Sequence, residues 1–198
     1  SNQAVAAARA GAKVTFISKL GKDAFANIAI AAWSKEGITP HVMQVADQPT
    51  GAAYIFVNDQ NGENAIIVVP GAAGTITAAD VEAAAPVIAN AAVFVTQLEQ
   101  PIPAALRGLE IARKAGVITI FNPAPAAPVP DAIYPLCDYV IPNESEAEGL
   151  TGVKVASPDD ARKAADILVR KGAKTVIVTM GGLGALVHAK DKQAFLPS

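Results

Sequence analysis

Short apolar runs rich in β-branched residues alternate with helical stretches along most of the chain, and this alternation constrains the fold most. Helical stretches stop at glycines such as Gly11, Gly37 and Gly116, because glycine readily adopts the left-handed conformation that ends many helices. The apolar runs are nearly continuous, which is typical of strands with helices on both faces. The sequence therefore predicts an α/β fold, a mostly parallel sheet flanked by helices.

The predicted elements follow from periodicity and from start and stop signals. We predict helices over residues 2–10, 24–36, 103–115 and 158–171, the last with Ser157 as its N-cap. We predict strands over residues 14–17, 93–96, 117–121, 139–141, 175–179 and 185–188. The absence of repeats or a low-complexity linker indicates one domain over residues 1–198.

Residues 50–70 depart from this alternation. Two apolar runs, residues 51–57 and 65–69, follow each other with no helix between them, and the segment that joins them contains Asn61-Gly62. Because Asn-Gly is a strong hairpin signal, we predict an inserted β-hairpin. An isolated hairpin is marginally stable in water, so it needs the main sheet, a ligand or a partner subunit to pack against.

Composition argues against several classes of protein. The formal net charge is -2 and no long run carries one sign, whereas nucleic-acid binding rests on clustered Lys and Arg. Cys137 is the only cysteine, so an internal disulfide and a cysteine-rich metal site are excluded. The apolar stretch over residues 81–95 is interrupted by Glu82, Pro86 and Asn90, so we predict no membrane span there.

Polar side chains follow two of the predicted strands, at the edge where parallel sheets bind ligands. Glu99, after the strand at 93–96, has the chemistry to accept hydrogen bonds from sugar hydroxyls, or is an exposed loop glutamate. Asn122 precedes Pro123, which fixes the exit path of the chain, and a rigid turn is the simpler interpretation there.

Two further strand ends suit phosphate chemistry. Asn143 and Glu146 have the spacing of a capping box, and the same helix N-terminus would attract phosphate, with Glu146 near Mg²⁺ directly or through water. The run Thr179 to Gly184 holds three glycines whose N–H groups can approach a ligand, or is a glycine-rich hairpin. Both interpretations stay open at both places.

Several segments, taken in order, resemble the PfkB-type carbohydrate kinase family, and within it the ribokinase branch. The resemblance covers the whole chain, and the Asn-Pro-Ala-Pro-Ala form in particular favours the ribokinase branch. The segments are residues 1–9, 50–51, 61–64, 97–99, 122–126, 142–148 and 179–184.

The resemblance implies a ribokinase-like fold and ATP-dependent phosphorylation of ribose at its 5-hydroxyl. It implies that Asn2 and Glu99 hold ribose hydroxyls, and that Ala53, Ile55 and Val68 face the sugar from a β-hairpin lid at residues 50–70. It also implies a homodimer formed through that lid.

For the nucleotide, the resemblance implies that Asn143 approaches the ATP phosphates and that Glu146 helps to organise Mg²⁺. The residues implied to border the nucleotide are Thr179, Met180, Gly181, Gly182, Leu183 and Gly184. The family's first strand with its sugar-binding Asp, the glycines of its first signature, and its Gly-Ala-Gly-Asp turn with the base are not among these residues. We therefore expect an incomplete sugar-kinase domain, with the base and any K⁺ site beyond Ser198, that is inactive alone.

Two alternatives remain open from the sequence. One keeps the family and changes the substrate to fructose, 2-keto-3-deoxygluconate or a nucleoside. The other is a non-catalytic α/β protein that binds a sugar or nucleotide. In each case we expect a cytoplasmic protein with small-molecule partners, and neither nucleic acid nor membrane.

Overall fold

The chain divides into two units, Ser1–Ile76 and Thr77–Ser198, in the computed structural model, which describes residues 1–198. The first unit has two two-stranded sheets and the second has one six-stranded sheet, and each unit has its own buried core. None of the helices has both the length and the apolar character needed to cross a bilayer.

The first unit contains two helices, two parallel strands and a separate hairpin. In chain order these are α1 (Asn2–Arg9), β1 (Thr15–Gly21), α2 (Ala24–Lys35), β2 (Thr39–Val45), β3 (Ala52–Val57) and β4 (Asn64–Val69), then a 3₁₀ turn, Gly71–Thr75. The predicted hairpin is present, with β3 antiparallel to β4. Trp33 and Leu20 lie in the buried core of β1 and α2, with the Trp33 ring edge-on to Phe16.

One expectation for this unit was wrong, and one strand was not predicted. We predicted that the first strand ends at Ile17, but β1 continues to Gly21 because it pairs in parallel with β2 from Thr15 to Gly21. β2 was not predicted from the sequence, since Pro40 near its start argues against a strand. Tertiary pairing outweighs that local signal.

The second unit carries a larger sheet with helices and short turns between its strands. Its elements are α3 (Ala78–Ala83), α4 (Ala85–Ala89), β5 (Val93–Thr96), α5 (Ile102–Lys114), β6 (Ile118–Phe121), a 3₁₀ turn (Asp131–Leu136), β7 (Tyr139–Val140), α6 (Glu144–Thr151), α7 (Pro158–Arg170), β8 (Thr175–Thr179), a 3₁₀ turn (Gly181–Leu183), β9 (Ala185–Ala189) and β10 (Lys192–Leu196). β10 and the two short helices α3 and α4 were not predicted.

The strands of this unit form one six-stranded sheet in the order β10-β9-β8-β7-β6-β5. β5 to β8 are parallel, which confirms the mostly parallel sheet, whereas β9 and β10 are antiparallel to their neighbours. The link from β8 to β9 is too short for a crossover helix, so β9 must return in the opposite direction.

One face of this sheet is buried under α5 and α7. Phe121, Val140 and Val176 point into that core and are fully buried. α5 approaches β5 closely because Gly108 leaves room for the Phe94 ring, which a Cβ would meet at 2.5 Å. The opposite face leaves four side chains 38–46% exposed: Val93, Val95, Ile118 and Tyr139.

Candidate functional site

The N-terminus of α6 is organised by a reciprocal capping box. The Asn143 Oδ1 atom accepts from the backbone N–H of Glu146 at 2.8 Å, and the Glu146 Oε2 atom accepts from the backbone N–H of Asn143 at 2.9 Å. The Asn143 Nδ2 group also donates to Glu146 Oε1 at 3.1 Å. The predicted capping geometry is confirmed, and it fixes both side chains.

Glu146 is only 6% exposed, although a buried carboxylate is costly without compensation. Its two oxygens face donors from Asn143, and it lies in the first turn of α6, where the helix dipole favours negative charge. The first backbone N–H groups of a helix point out of its N-terminus, and they favour an anionic ligand there.

The end of β8 lies directly beside this helix. Asn143 and Thr179 form an isolated parallel bridge, and the Thr179 N–H donates to the Pro142 carbonyl at 2.9 Å. The Gly181 α-carbon lies next to Glu144, whose Oε1 atom would be 3.7 Å from a Cβ at Gly181. The structure therefore brings Asn143, Glu146 and the start of the glycine-rich turn together at one edge of the sheet.

The glycine-rich turn closes on itself. The Met180 N–H donates to the Gly184 carbonyl at 2.8 Å, and the Leu183 N–H donates to the Met180 carbonyl at 2.9 Å. Met180 is buried, whereas Gly181, Gly182 and Leu183 are exposed. Gly184 has φ +111 and a Cβ there would overlap the Leu196 carbonyl, so no other residue fits that position without strain.

Glu99 is exposed on the loop after β5. The neighbouring Gln100 Nε2 group donates to Thr96 Oγ1 at 2.7 Å and to the Gln97 carbonyl at 2.8 Å, and the Leu98 N–H donates to the Ala124 carbonyl at 2.9 Å. These bonds hold the backbone on either side of Glu99. Gln100 was not identified from the sequence, where Thr96 at the end of the apolar strand was the available signal.

The remaining predicted sugar residues belong to the first unit. Asn2 is the exposed first residue of α1. Ala53 lies opposite Val68 in the hairpin register, and Ile55 is on the same face because side chains alternate along a strand. All three hairpin side chains are exposed, Ile55 to 61% and Val68 to 64%.

The base of the hairpin is tied to the start of α2 by an aspartate that the sequence analysis missed. Asp23 Oδ2 accepts from the Thr50 N–H at 2.7 Å and Asp23 Oδ1 from the Ala26 N–H at 2.9 Å, while Thr50 Oγ1 accepts from the Gly21 N–H at 2.9 Å. The bonds from Thr50 and then from Ala26 lower the pKa of the Asp23 carboxyl. Thr50 is 29 positions from Gly21 and 27 from Asp23, so only the fold reveals the link.

The chain resembles known proteins over nearly its whole length. The model of the pfkB family carbohydrate kinases matches residues 1–198. The ribokinase of Staphylococcus aureus (strain COL) is 40% identical over 193 residues, which are 97% of this chain and 63% of that protein. The deoxyribokinase of Salmonella typhi is 38% identical over 200 residues, covering 100% of this chain and 65% of that protein.

A solved structure of Arabidopsis thaliana ribokinase complexed with ribose and ATP superimposes with a TM-score of 0.86 at 26% identity. The match covers 99% of this chain and 64% of that one. The chain thus spans less than two thirds of the length of each of these three proteins.

Proposed function

The chain belongs to the pfkB family of carbohydrate kinases, and we propose that the intact protein transfers the γ-phosphoryl group of ATP to the 5-hydroxyl of ribose. The observation that carries this proposal is the Asn143–Glu146 capping box beside Thr179 and Gly181. At this position a helix N-terminus and a glycine-rich turn lie side by side at the carboxyl edge of the parallel strands, where phosphates bind.

On the nucleotide side, Asn143 and the first N–H groups of α6 approach the phosphates. The turn from Thr179 to Gly184 borders the nucleotide, with Gly181, Gly182 and Leu183 exposed and Met180 buried. Phosphoryl transfer depends mainly on positioning and charge stabilisation, and a capping box that is fully hydrogen-bonded before substrate arrives supplies such positioning.

On the sugar side, we assign ribose-binding roles to Glu99 in the second unit and to Asn2 in the first unit. Glu99 is exposed on its loop, and a carboxylate can accept two hydroxyl hydrogen bonds. The lid face of Ala53, Ile55 and Val68 contacts the apolar side of the sugar.

The residues of this site would hold Mg²⁺ through a water, because they do not form a complete set of metal ligands. No group of three or more His, Cys, Asp or Glu side chains is placed to hold a metal, and both Glu146 oxygens already accept bonds from Asn143. Each oxygen keeps a second lone pair, so Glu146 would hold a water of Mg²⁺, which commonly keeps several waters and binds substrate phosphates. When bound, the ion would neutralise charge on those phosphates. A K⁺ site belongs to the intact protein in this proposal.

The hairpin supports a homodimer formed through the lid. Its second face carries Tyr54, Phe56 and Ile67, which are 55–73% exposed. A two-stranded hairpin with apolar side chains exposed on both faces needs a partner surface, and a second lid would supply one. We place the intact enzyme in the cytoplasm, where ATP is available.

The test is kinetic and uses the intact protein and residues 1–198 in parallel. ADP formation from the intact protein should require ribose, and the shorter protein should form none. Glu146→Ala in the intact protein should lower kcat by about 10-fold or more, since it removes a preorganised group. Binding of ribose or ATP with no turnover by the intact protein would favour the non-catalytic alternative.

A second substrate is favoured by the likeness to a deoxyribokinase at 38% identity. The intact enzyme should therefore be assayed with ribose and 2-deoxyribose side by side, then with fructose, 2-keto-3-deoxygluconate and adenosine. A higher kcat/KM for any of these than for ribose would reassign the substrate within the family.

A further inference from the structure

Asn122, at the end of β6, lies between the two loops that carry Glu99 and Asn143. Its backbone N–H donates to the Thr96 carbonyl at 3.0 Å, on the side of Glu99. Its side-chain Nδ2 group donates to the Ile141 carbonyl at 2.8 Å, on the side of Asn143. One residue therefore joins the ends of β5, β6 and β7.

The side chain of Asn122 takes the place of a missing strand bond. β7 comprises only Tyr139 and Val140, and the last backbone bond between β6 and β7 runs from the Ile141 N–H to the Phe121 carbonyl at 2.8 Å. Beyond that point the Asn122 amide continues the pairing to the Ile141 carbonyl.

The connection extends across the edge of the sheet in both directions. The Leu98 N–H, next to Glu99, donates to the Ala124 carbonyl at 2.9 Å. The Pro142 carbonyl, next to Asn143, accepts from the Thr179 N–H at 2.9 Å. A shift of the 122–124 segment would thus move the sugar-side glutamate relative to the phosphate-side asparagine.

We propose that Asn122 is a positioning residue that sets the spacing between the Glu99 loop and the Asn143–Glu146 helix start. This inference rests on the proposed kinase function, in which the two loops hold the two reactants. The Ile141 carbonyl oxygen needs a hydrogen-bond donor, and the Asn122 amide supplies it. An ionised carboxylate or an alkyl side chain at this position would not supply a donor. A displacement of about 1 Å between reactants can cost about 100-fold in rate.

The first test is kinetic, in the intact protein. Asn122→Asp should lower kcat by about 10- to 100-fold while the Kd for ribose and the Kd for ATP, each measured alone, change less than about twofold. The control is Asn90→Asp, because Asn90 Nδ2 donates to the Pro86 carbonyl at the same 2.8 Å on an exposed helix end. The control should keep wild-type kcat.

A pH profile separates positioning from general damage. A protonated carboxyl regains an O–H donor, so the activity of Asn122→Asp relative to wild type should rise as pH falls toward the carboxyl pKa, ordinarily about 4. A pH-independent ratio, an unchanged kcat, or a loss that appears equally in both Kd values would overturn the inference.

The second test does not depend on turnover. Amide hydrogen exchange should accelerate at Leu98, Glu146 and Thr179 in Asn122→Asp and not in Asn90→Asp. If wild type phosphorylates no sugar, the kinase proposal fails by itself, and exchange still decides whether Asn122 couples the two loops. Equal exchange in both variants would refute that coupling.

Discussion

At the residue scale, Asp138 is a charged group on which several parts of the second unit converge. Its carboxylate accepts from the Thr119 N–H at 2.9 Å and from Arg113 Nη1 at 3.1 Å, and it pairs with Lys174. Burial opposes its charge, but the bonds from Lys174 and Thr119 outweigh burial and lower the pKa of the Asp138 carboxyl. The carboxylate thus joins α5, β6 and the start of β8.

We expect Asp138→Asn to lower the free energy of unfolding at pH 7 by about 1–3 kcal/mol, since the buried Thr119 N–H and the partly exposed Arg113 and Lys174 side chains lose a charged partner. Because the pKa is lowered in the folded state, the stabilisation is present above about pH 4, the unfolded value, and is lost as pH falls through the folded pKa. Wild type should therefore lose stability with acid more steeply than the variant. Urea unfolding at several pH values measures both effects.

Asp159→Asn is the control for this prediction. Asp159 pairs with Arg162 at 2.6 Å, but its side chain is 73% exposed, and such surface pairs contribute less than about 1 kcal/mol. If the two variants lost equal stability and had parallel pH dependence, the role given to Asp138 would be wrong.

At the element scale, α6 contains one glycine and is followed by another as its C-cap, and the two have opposite requirements. Gly149 lies within the helix, and a Cβ there would make an ordinary 3.7 Å contact with Ala126. Gly152 ends the helix with φ +75. We expect Gly149→Ala to stabilise by about 0.5–1 kcal/mol and Gly152→Ala to destabilise by about 1 kcal/mol. Thermal unfolding of both variants measures this, and shifts of the same sign would contradict it.

The hairpin β3–β4 depends at its base on Asp23, which binds the Thr50 N–H. We expect Asp23→Ala to accelerate amide exchange throughout residues 52–69. Asp80→Ala is the matched control, since Asp80 completes the capping box of α3 and lies in the second unit. Because bonds from Thr50 and Ala26 lower the Asp23 pKa, exchange in wild type should approach that of the variant only below about pH 4. Equal hairpin exchange in the two variants would contradict this role.

Elements with strong local signals were predicted within a residue or two. β5 and β8 have the predicted bounds, and Ser157 caps α7 as expected, because an apolar run or a cap is written in neighbouring residues. The Asn143–Glu146 spacing likewise revealed the candidate phosphate site. β2 was missed because its stability comes from pairing with β1, not from its own sequence.

Contacts between residues that are distant in sequence were missed in the candidate site as well. The bonds from Asn122 to Ile141 and from Thr50 to Asp23 join residues that are 19 and 27 positions apart. No local pattern encodes such a pair. Asn122 was noticed for the proline after it, but its partner is defined only once β6 and β7 lie side by side.

At the scale of the whole molecule, the open face of the six-stranded sheet is an exposed apolar surface that we expect another segment to bury. Parallel sheets are almost always covered on both faces, yet Val93, Val95, Ile118 and Tyr139 are 38–46% exposed. The relatives described above are longer than this chain by about a third of their length or more. We expect a segment of the intact protein to cover this face.

The substitution Val95→Lys tests this expectation when it is made both in residues 1–198 and in the intact protein. Val95→Lys in residues 1–198 places a charge on an exposed surface, so stability should change by less than about 0.5 kcal/mol and binding of a hydrophobic dye should fall. In the intact protein the same lysine would be buried without a partner and should cost at least about 2 kcal/mol. Tyr54→Ser on the hairpin controls for dye bound there, since Tyr54 is 73% exposed. Equal stability losses in the two lengths would show that the face stays open in the intact protein.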